Sequence, residues 1–233
     1  MPENSSDFPE VSLKEKLLRP ARDIRSLLRW GYPKFATICF VADHFQLSLE
    51  ERHILTRIIM APDKIVSRIN KKVNCKDIKG RDLILDGYNV LLTVDSFLKK
   101  EPMWFCDDSY IRDTRYYFSK TKQAEDIEEA MEEVLTFLSE NPPKSVIFLF
   151  DAQISKSGEL AGLLRHELKK YKLSGEARTS KTADFELKTE GGNNEKNLIV
   201  ATSDGIIIDS VLQVLDIPAC LMEKRRIEPV RLY

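Results

Sequence analysis

Histidine and cysteine are scarce in this chain and glycine-rich phosphate loops are absent, and each shortage closes a class of chemistry. Only three histidines occur, His44, His53 and His166. None sits at a spacing that pairs it with a carboxylate and a nucleophile, so a Ser-His-Asp arrangement has no support. His44 beside Asp43 reads as a local hydrogen-bonded pair. The four cysteines, Cys39, Cys75, Cys106 and Cys220, lie more than thirty residues apart with no C-x-x-C pair, which argues against a zinc site and against a disulfide framework. They read as buried or indifferent thiols. No G-x-x-x-x-G-K-[ST] stretch is present, so there is no P-loop. Apolar runs are short: "VIFLF" at 146–150 falls far below the roughly 20 residues of a membrane helix. The start, "MPENSSDFPE", lacks a charged segment leading into an apolar core, so no signal peptide is expected and the protein reads as cytoplasmic.

What is present divides by charge. The formal net charge is −1 over 233 residues, a length that suits one large α/β domain or a domain of about 150 residues with a smaller one attached. Residues 11–81 hold 16 Lys and Arg against 7 Asp and Glu, a balance of +9, the first ten carry −3, and 82–233 therefore carry −7. The basic part suits a polyanion and the acidic part suits cations, although a solvated basic helical face explains the first equally well.

The basic part reads as helices. Ser12 with Glu15, and Ser48 with Glu51, have capping-box spacing. Leu13, Leu17, Ile24, Leu27 and Leu28 follow the first box, with Pro20 expected to end or interrupt the run. Ile54, Leu55, Ile58 and Ile59 follow the second, and a further helix is expected to start near Asp63. The division is a flexible N-terminus over 1–10, a basic helical domain over 11–75 and a second domain over 82–233. In the second domain, apolar strands alternate with helical stretches. Strands are expected at 82–86 with a continuation near 90–94, at 145–150, 176–180, 197–202 and 218–222. Such alternation predicts an α/β fold, a mainly parallel sheet covered on both faces.

Three of those strands finish at or just before an aspartate: "LILDGYN", "IFLFDAQ" and "IVATSDG", giving Asp86, Asp151 and Asp204. In a parallel sheet the carboxyl ends share one edge, where ligands bind. Each aspartate alone is also a plausible helix cap. Together they predict a shared site for a hard divalent cation, Mg²⁺ or Mn²⁺, because unneutralised carboxylates at close range repel.

The form of "DGYN" narrows the family. A haloacid-dehalogenase phosphatase wants D-x-D where position 88 is tyrosine, and a Toprim site wants D-x-D where position 153 is glutamine. What remains resembles the PIN-like nucleases of the NYN branch, which open with an apolar strand ending in D-G-x-N. The resemblance covers residues 82 to about 222. It implies a three-layer αβα domain and metal-dependent hydrolysis of phosphodiester bonds, in RNA rather than DNA. By the same resemblance Asp86, Asp151, Asp184 of "TADFELK" and Asp204 are metal ligands, Asn89 steadies the first loop, and Thr202 and Ser203 orient a ligand or water. The whole chain is also similar to an uncharacterised prokaryotic family that places a small basic module ahead of such a domain.

This sequence departs from that pattern in places. Gly205 follows Asp204, and the next acid, Asp209, either reaches the site or faces solvent. The insert "FCDDSYIRDTRYYF" brings together Asp107, Asp108, Arg112, Asp113 and Arg115; it reads as a solvated loop, with Asp108, Arg112 and Asp113 as accessory candidates if it grips substrate. Ser155 and Ser157 precede a helix where phosphate binds well, but Ser157 as an N-cap explains the same letters. Lys64, Arg68, Lys71, Lys72 and Arg81 are the candidate phosphate contacts. Trp30 and Tyr32 read as helix packing rather than a base-stacking platform. A second functional reading keeps the fold and drops catalysis, leaving a nucleic-acid or protein binding module; a third is a phosphatase or nucleotidase acting on small substrates.

Overall fold

The computed structural model describes residues 9–114, 127–193 and 197–233. Four helices come first: α1 (Pro9–Arg29), α2 (Lys34–His44), α3 (Leu49–Ile58) and α4 (Pro62–Ile69). Residues 1–8 of the expected flexible terminus lie outside the described residues. Helix α1 buries Leu17, Ala21, Ile24 and Leu28, a spacing that keeps one face turned inward. Pro20 was expected to end or interrupt this run and lies inside it instead. A proline in a helix interior costs about 3 kcal/mol or more; continuous burial on both sides of Pro20 offsets that cost. The helix starts at Pro9, so Ser12 is within it and not at its cap. At α3 the capping box is present: Glu51 N–H donates to Ser48 Oγ at 3.2 Å, and Ser48 N–H donates to Glu51 Oε2 at 2.7 Å. Trp30 and Tyr32, read as packing residues, are 74% and 57% exposed, because the short turn from α1 to α2 carries them past the helix faces that meet.

The α/β part follows as β1 (Asp82–Asp86), α5 (Gly87–Leu98), β2 (Trp104–Phe105), β3 (Ile111–Arg112), α6 (Glu128–Glu140), β4 (Ser145–Asp151), α7 (Ser157–Lys170), β5 (Gly175–Ser180), α8 (Ala183–Gly191), β6 (Leu198–Ala201), α9 (Gly205–Ser210), β7 (Val214–Leu215) and α10 (Ile217–Arg225). Five strands form an all-parallel sheet in the order β5-β4-β1-β6-β7. Alternate side chains separate to its two faces. Leu83, Leu85, Val146, Phe148 and Phe150 join a core with α5, α6, α7 and α10, while Ile84, Leu149 and Val200 join another with α8 and α9.

Two expected strands are helices. The run 90–94 lies in α5, where Val90, Leu91, Leu92 and Val94 are all buried; an apolar run buried on every side carries no period that separates helix from strand. Residues 218–222 lie in α10, started by Pro218 and capped by Asp216, whose Oδ1 accepts the Ala219 N–H at 3.1 Å. The strand at that edge is β7.

The insert is also corrected. Strands β2 and β3 form an antiparallel hairpin whose Trp104, Cys106, Asp108, Tyr110, Arg112 and Asp113 are buried, not a solvated loop. Trp104 and Cys106, with Leu232, complete the core of the first three helices. Its aromatic end, with Arg115, lies outside the described residues. Finally, Cys75 and Cys220 form a disulfide with Cα atoms 5.7 Å apart, against the expectation of unpaired thiols. A separation of 145 residues leaves no local spacing to reveal it; the fold brings the segment after α4 onto α10 at bonding distance. Cys39 and Cys106 are free thiols. Among the described residues no helix is long and apolar enough to cross a membrane.

Candidate functional site

Strand β1 lies mid-sheet. From it the chain moves outward through β4 and β5, then returns to β6 on the opposite side of β1. The carboxyl ends flanking such a reversal open into a crevice. There a cavity of about 500 Å³ is lined by Asp86, Asp113, Asp151, Asp184 and Asp204, with Arg57, Tyr88 and Asn89 among its other walls.

Each acid reaches this wall by a different local device. Asp86 ends β1 and stands at the cap position of α5, yet its side chain makes no capping hydrogen bond. It is followed by Gly87, where a Cβ would lie 2.4 Å from Phe150 Cε1, so glycine lets the start of α5 pass this close to the ring. Tyr88 then packs edge-on against the same Phe150 ring, 5.1 Å between centroids. Asp151 ends β4, and its Oδ1 accepts the Gln153 N–H at 2.8 Å. Asp184 sits in the first turn of α8. Asp204 caps α9 with Oδ1, accepting from Ile206 and Ile207 N–H at 2.7 and 3.1 Å. The capping explanation therefore holds for one oxygen of Asp204, while Asp86 makes no close capping bond and feels only a minor pull from the Asn89 N–H. Asp113 enters from just beyond β3 and is buried.

Asn89 joins the first and last of these segments. Its Oδ1 accepts from Ser203 N–H at 2.7 Å, Ser203 Oγ at 3.0 Å and Thr202 Oγ1 at 3.3 Å. Thr202 Oγ1 also lies 3.0 Å from Asp86 Oδ2 as donor and accepts the Asp204 N–H at 3.1 Å. Thr202 and Ser203 thus position Asp86, Asn89 and Asp204 against one another.

Burial raises the Asp86 carboxyl to about 7, against the pull of the Thr202 hydroxyl and with the negative charges of Asp204 and Asp184 adding to the rise. Near neutral pH Asp86 therefore hovers between its two protonation states. Among the described residues, as the side chains stand, no three His, Cys, Asp or Glu groups are drawn into a preformed metal cluster. Apart from the Arg57 guanidinium, the polar groups of the wall are oxygen donors without His or Cys, the chemistry that suits a hard divalent cation bound through one or two carboxylates and retained water.

Other expected residues stand elsewhere. Asp108 is fully buried beneath the hairpin, bidentate to Arg112 at 2.7 and 2.8 Å and 2.8 Å from Arg68 Nη1. Burial opposes its ionisation, but the two guanidinium groups hold it below the ordinary carboxylate range. Arg112 Nε donates to Ser203 O at 2.8 Å, so Asp108 and Arg112 brace the 202–204 loop from behind and do not line the cavity. Asp209 does not reach the site; it pairs with Arg68 at 2.8 Å and Lys64 at 3.0 Å. Neither Ser155 nor Ser157 lines the cavity, and Lys156, not Ser157, occupies the cap position of α7.

Four of the five expected phosphate contacts turn inward, while Lys64 stays exposed and pairs with Asp209. Arg68 is 6% exposed. Lys71 Nζ donates to the carbonyls of Ile208 and Asp209 at 2.9 Å, Lys72 pairs with Asp216 at 3.0 Å, and Arg81 bonds Asn197 and Gln213. These bases tie the helices to the α/β part, and their proximity in sequence to the last helix of the basic region could not reveal that. The residue missed altogether is Arg57: it lies in an apolar run, "HILTRIIM", where a basic residue reads as a solvated helix position.

Comparison with known proteins gives family membership. Residues 16–71 match the family described as "Protein of unknown function (DUF434)", and residues 75–220 that described as "Domain of unknown function (DUF5616)". The chain is 36% identical over 203 residues to "Uncharacterized protein MJ0935" of Methanocaldococcus jannaschii, covering 86% of this chain and 94% of that protein. No solved structure matches it. The acidic cavity, its braced loop and the sheet that carries them accordingly lie within the matched region, and the chain belongs to the family described as "Domain of unknown function (DUF5616)", with a DUF434 region ahead of it.

Proposed function

We propose that this protein is a metal-dependent nuclease of PIN-like type, hydrolysing phosphodiester bonds in nucleic acid, RNA rather than DNA. One arrangement carries the reading: Asp86, Asp151, Asp184 and Asp204, from four separate segments, line a single cavity at the carboxyl edge of a parallel sheet. Together with the D-G-x-N strand end, this is what the resemblance to the NYN branch requires. Asp86, Asp151, Asp184 and Asp204 are the residues that would hold Mg²⁺ or Mn²⁺, with Asp113 close by. Such an ion supplies an activated water and offsets charge on the phosphate. The chain's own contribution is placement: Thr202 directs a proton at Asp86 Oδ2, and Asn89 keeps the loop bearing Asp204 against the end of β1.

A second reading, a binding module without catalysis, is favoured by one observation: Asp204 and Asp151 each give an oxygen to a neighbouring backbone N–H, as structural aspartates do. Two measurements separate the readings. Millimolar MnCl₂ raises the melting temperature of a metal site by mass action, and labelled RNA is cleaved with Mn²⁺ but not with EDTA; both effects disappear in Asp86→Asn. Absence of the melting shift and of cleavage in the wild-type protein would leave the binding module.

A further inference from the structure

The acidic cavity has one wall that the α/β part does not supply. Arg57 stands in the last turn of α3, in the helical region, and lines the same cavity as the five aspartates. No other Lys or Arg among the described residues lines it. The Arg57 Nε is buried and has no hydrogen-bond partner. A buried donor of a charged group left unpaired is costly, and it is rarely retained without a ligand or water to receive it. Arg68 and Arg112 nearby differ in this respect: each of their guanidinium nitrogens bonds Asp108, Asp209 or a main-chain carbonyl.

The helix that carries Arg57 is fixed at both ends. Its capping box closes the start. At its end the Asp107 N–H donates to Ile58 O at 3.0 Å, tying it to the hairpin, while Ile54, Leu55 and Ile58 are buried. The fold thus fixes the helix position from which Arg57 lines a wall of carboxylates, and a planar fork of donors matches phosphate oxygens.

We infer that Arg57 is the phosphate-binding group of the cavity: it receives a phosphate of the substrate opposite the cation held by the aspartates, so that the site is complete only when the helical region and the α/β region act together. This rests on the nuclease reading for the role of the carboxylates, while the anion-binding role of Arg57 is tested separately.

The test uses the full chain and a fluorescein-labelled single-stranded RNA, with Ca²⁺ in place of Mn²⁺ during binding measurements. Anisotropy titrations compare wild type, Arg57→Gln and Arg57→Lys, and melting curves with and without MnCl₂ run in parallel. Arg57→Gln is expected to weaken RNA binding about 10- to 100-fold, and Arg57→Lys to recover part of it by keeping charge without the fork. The Mn²⁺-induced melting shift is expected to be as large in Arg57→Gln as in wild type or larger, because a cation beside the metal-binding acids has been removed. Wild-type affinity in Arg57→Gln, or no RNA binding by the wild type, overturns the inference. Loss of binding in Arg57→Gln with no Mn²⁺ shift in any variant supports it and overturns the metal reading instead. If Arg57→Gln does not fold, Arg57→Lys decides: affinity equal to wild type overturns the phosphate fork, and a loss of several-fold supports it.

Discussion

Asn89 and Ser203 lie 114 residues apart in the chain, and the carboxamide oxygen of one accepts the backbone N–H of the other at 2.7 Å. The same oxygen takes two hydroxyl donors. This contact spans the opening between β1 and β6, so it sets the distance between Asp86 and Asp204. Asn89→Ala leaves the Ser203 N–H and hydroxyl without that acceptor, and is expected to cost about 1–3 kcal/mol of stability. Urea denaturation measures it. RNA cleavage by the folded variant is expected to fall with it, since the Asp204 loop loses its tie to the first strand.

The Asp86 carboxyl gives the site a pH dependence whose sign is fixed. Its folded-state value near 7 lies above the ordinary 3.8, so the folded protein holds a proton that the unfolded chain has released. Its favourable contribution is complete below the unfolded value and is lost as pH rises through about 7. In EDTA, wild type is expected to lose melting temperature from about pH 5 to about pH 8 more steeply than Asp86→Asn. At the alkaline end the variant is the more stable, by roughly 1–3 kcal/mol. Mn²⁺ competes with the proton, so its stabilising effect on wild type grows over the same interval. A variant that melts in parallel with wild type across the range would contradict this.

Asp108 is fully buried between Arg112 and Arg68. Asp108→Ala strands two guanidinium groups under the hairpin, and breaking a buried pair in this way costs about 3–5 kcal/mol. Asp108→Asn retains part of the hydrogen bonding and is expected to lose less. Chemical denaturation of both variants gives the ranking.

The Cys75–Cys220 bridge closes 145 residues of chain. Replacing both cysteines by serine, or reducing the protein, is expected to lower stability by about 2–4 kcal/mol while leaving the acidic cavity intact, because neither cysteine lines it. Mass spectrometry of alkylated samples with and without reductant reports the bridge; melting curves report its effect.

The sequence made the sheet legible where strands ended in chemistry. Asp86, Asp151 and Asp204 mark three carboxyl ends because an aspartate after an apolar run needs a reason, and Asp184 joined them through the resemblance. Two apolar runs without such a marker were misread, 90–94 and 218–222. The run from Val90 to Val94 is buried on all sides and has no period to declare itself. Basic residues 64–81 look alike on paper. In the folded chain Arg68, Lys71 and Lys72 meet acids and carbonyls 37 to 144 positions away, and no local pattern encodes partners at that range. Arg57 and the disulfide were hidden for the same reason.

The hydrophobic centre of the first three helices is finished by Trp104 and Cys106 from the hairpin and by Leu232, whose carbonyl accepts from Arg25 Nη1 at 2.6 Å. A fragment cut after the fourth helix would be missing its lid and would present a bare oily face to water. Expressing the leading segment alone therefore invites clumping, and exchanging it between relatives requires that the hairpin and the tail travel with it.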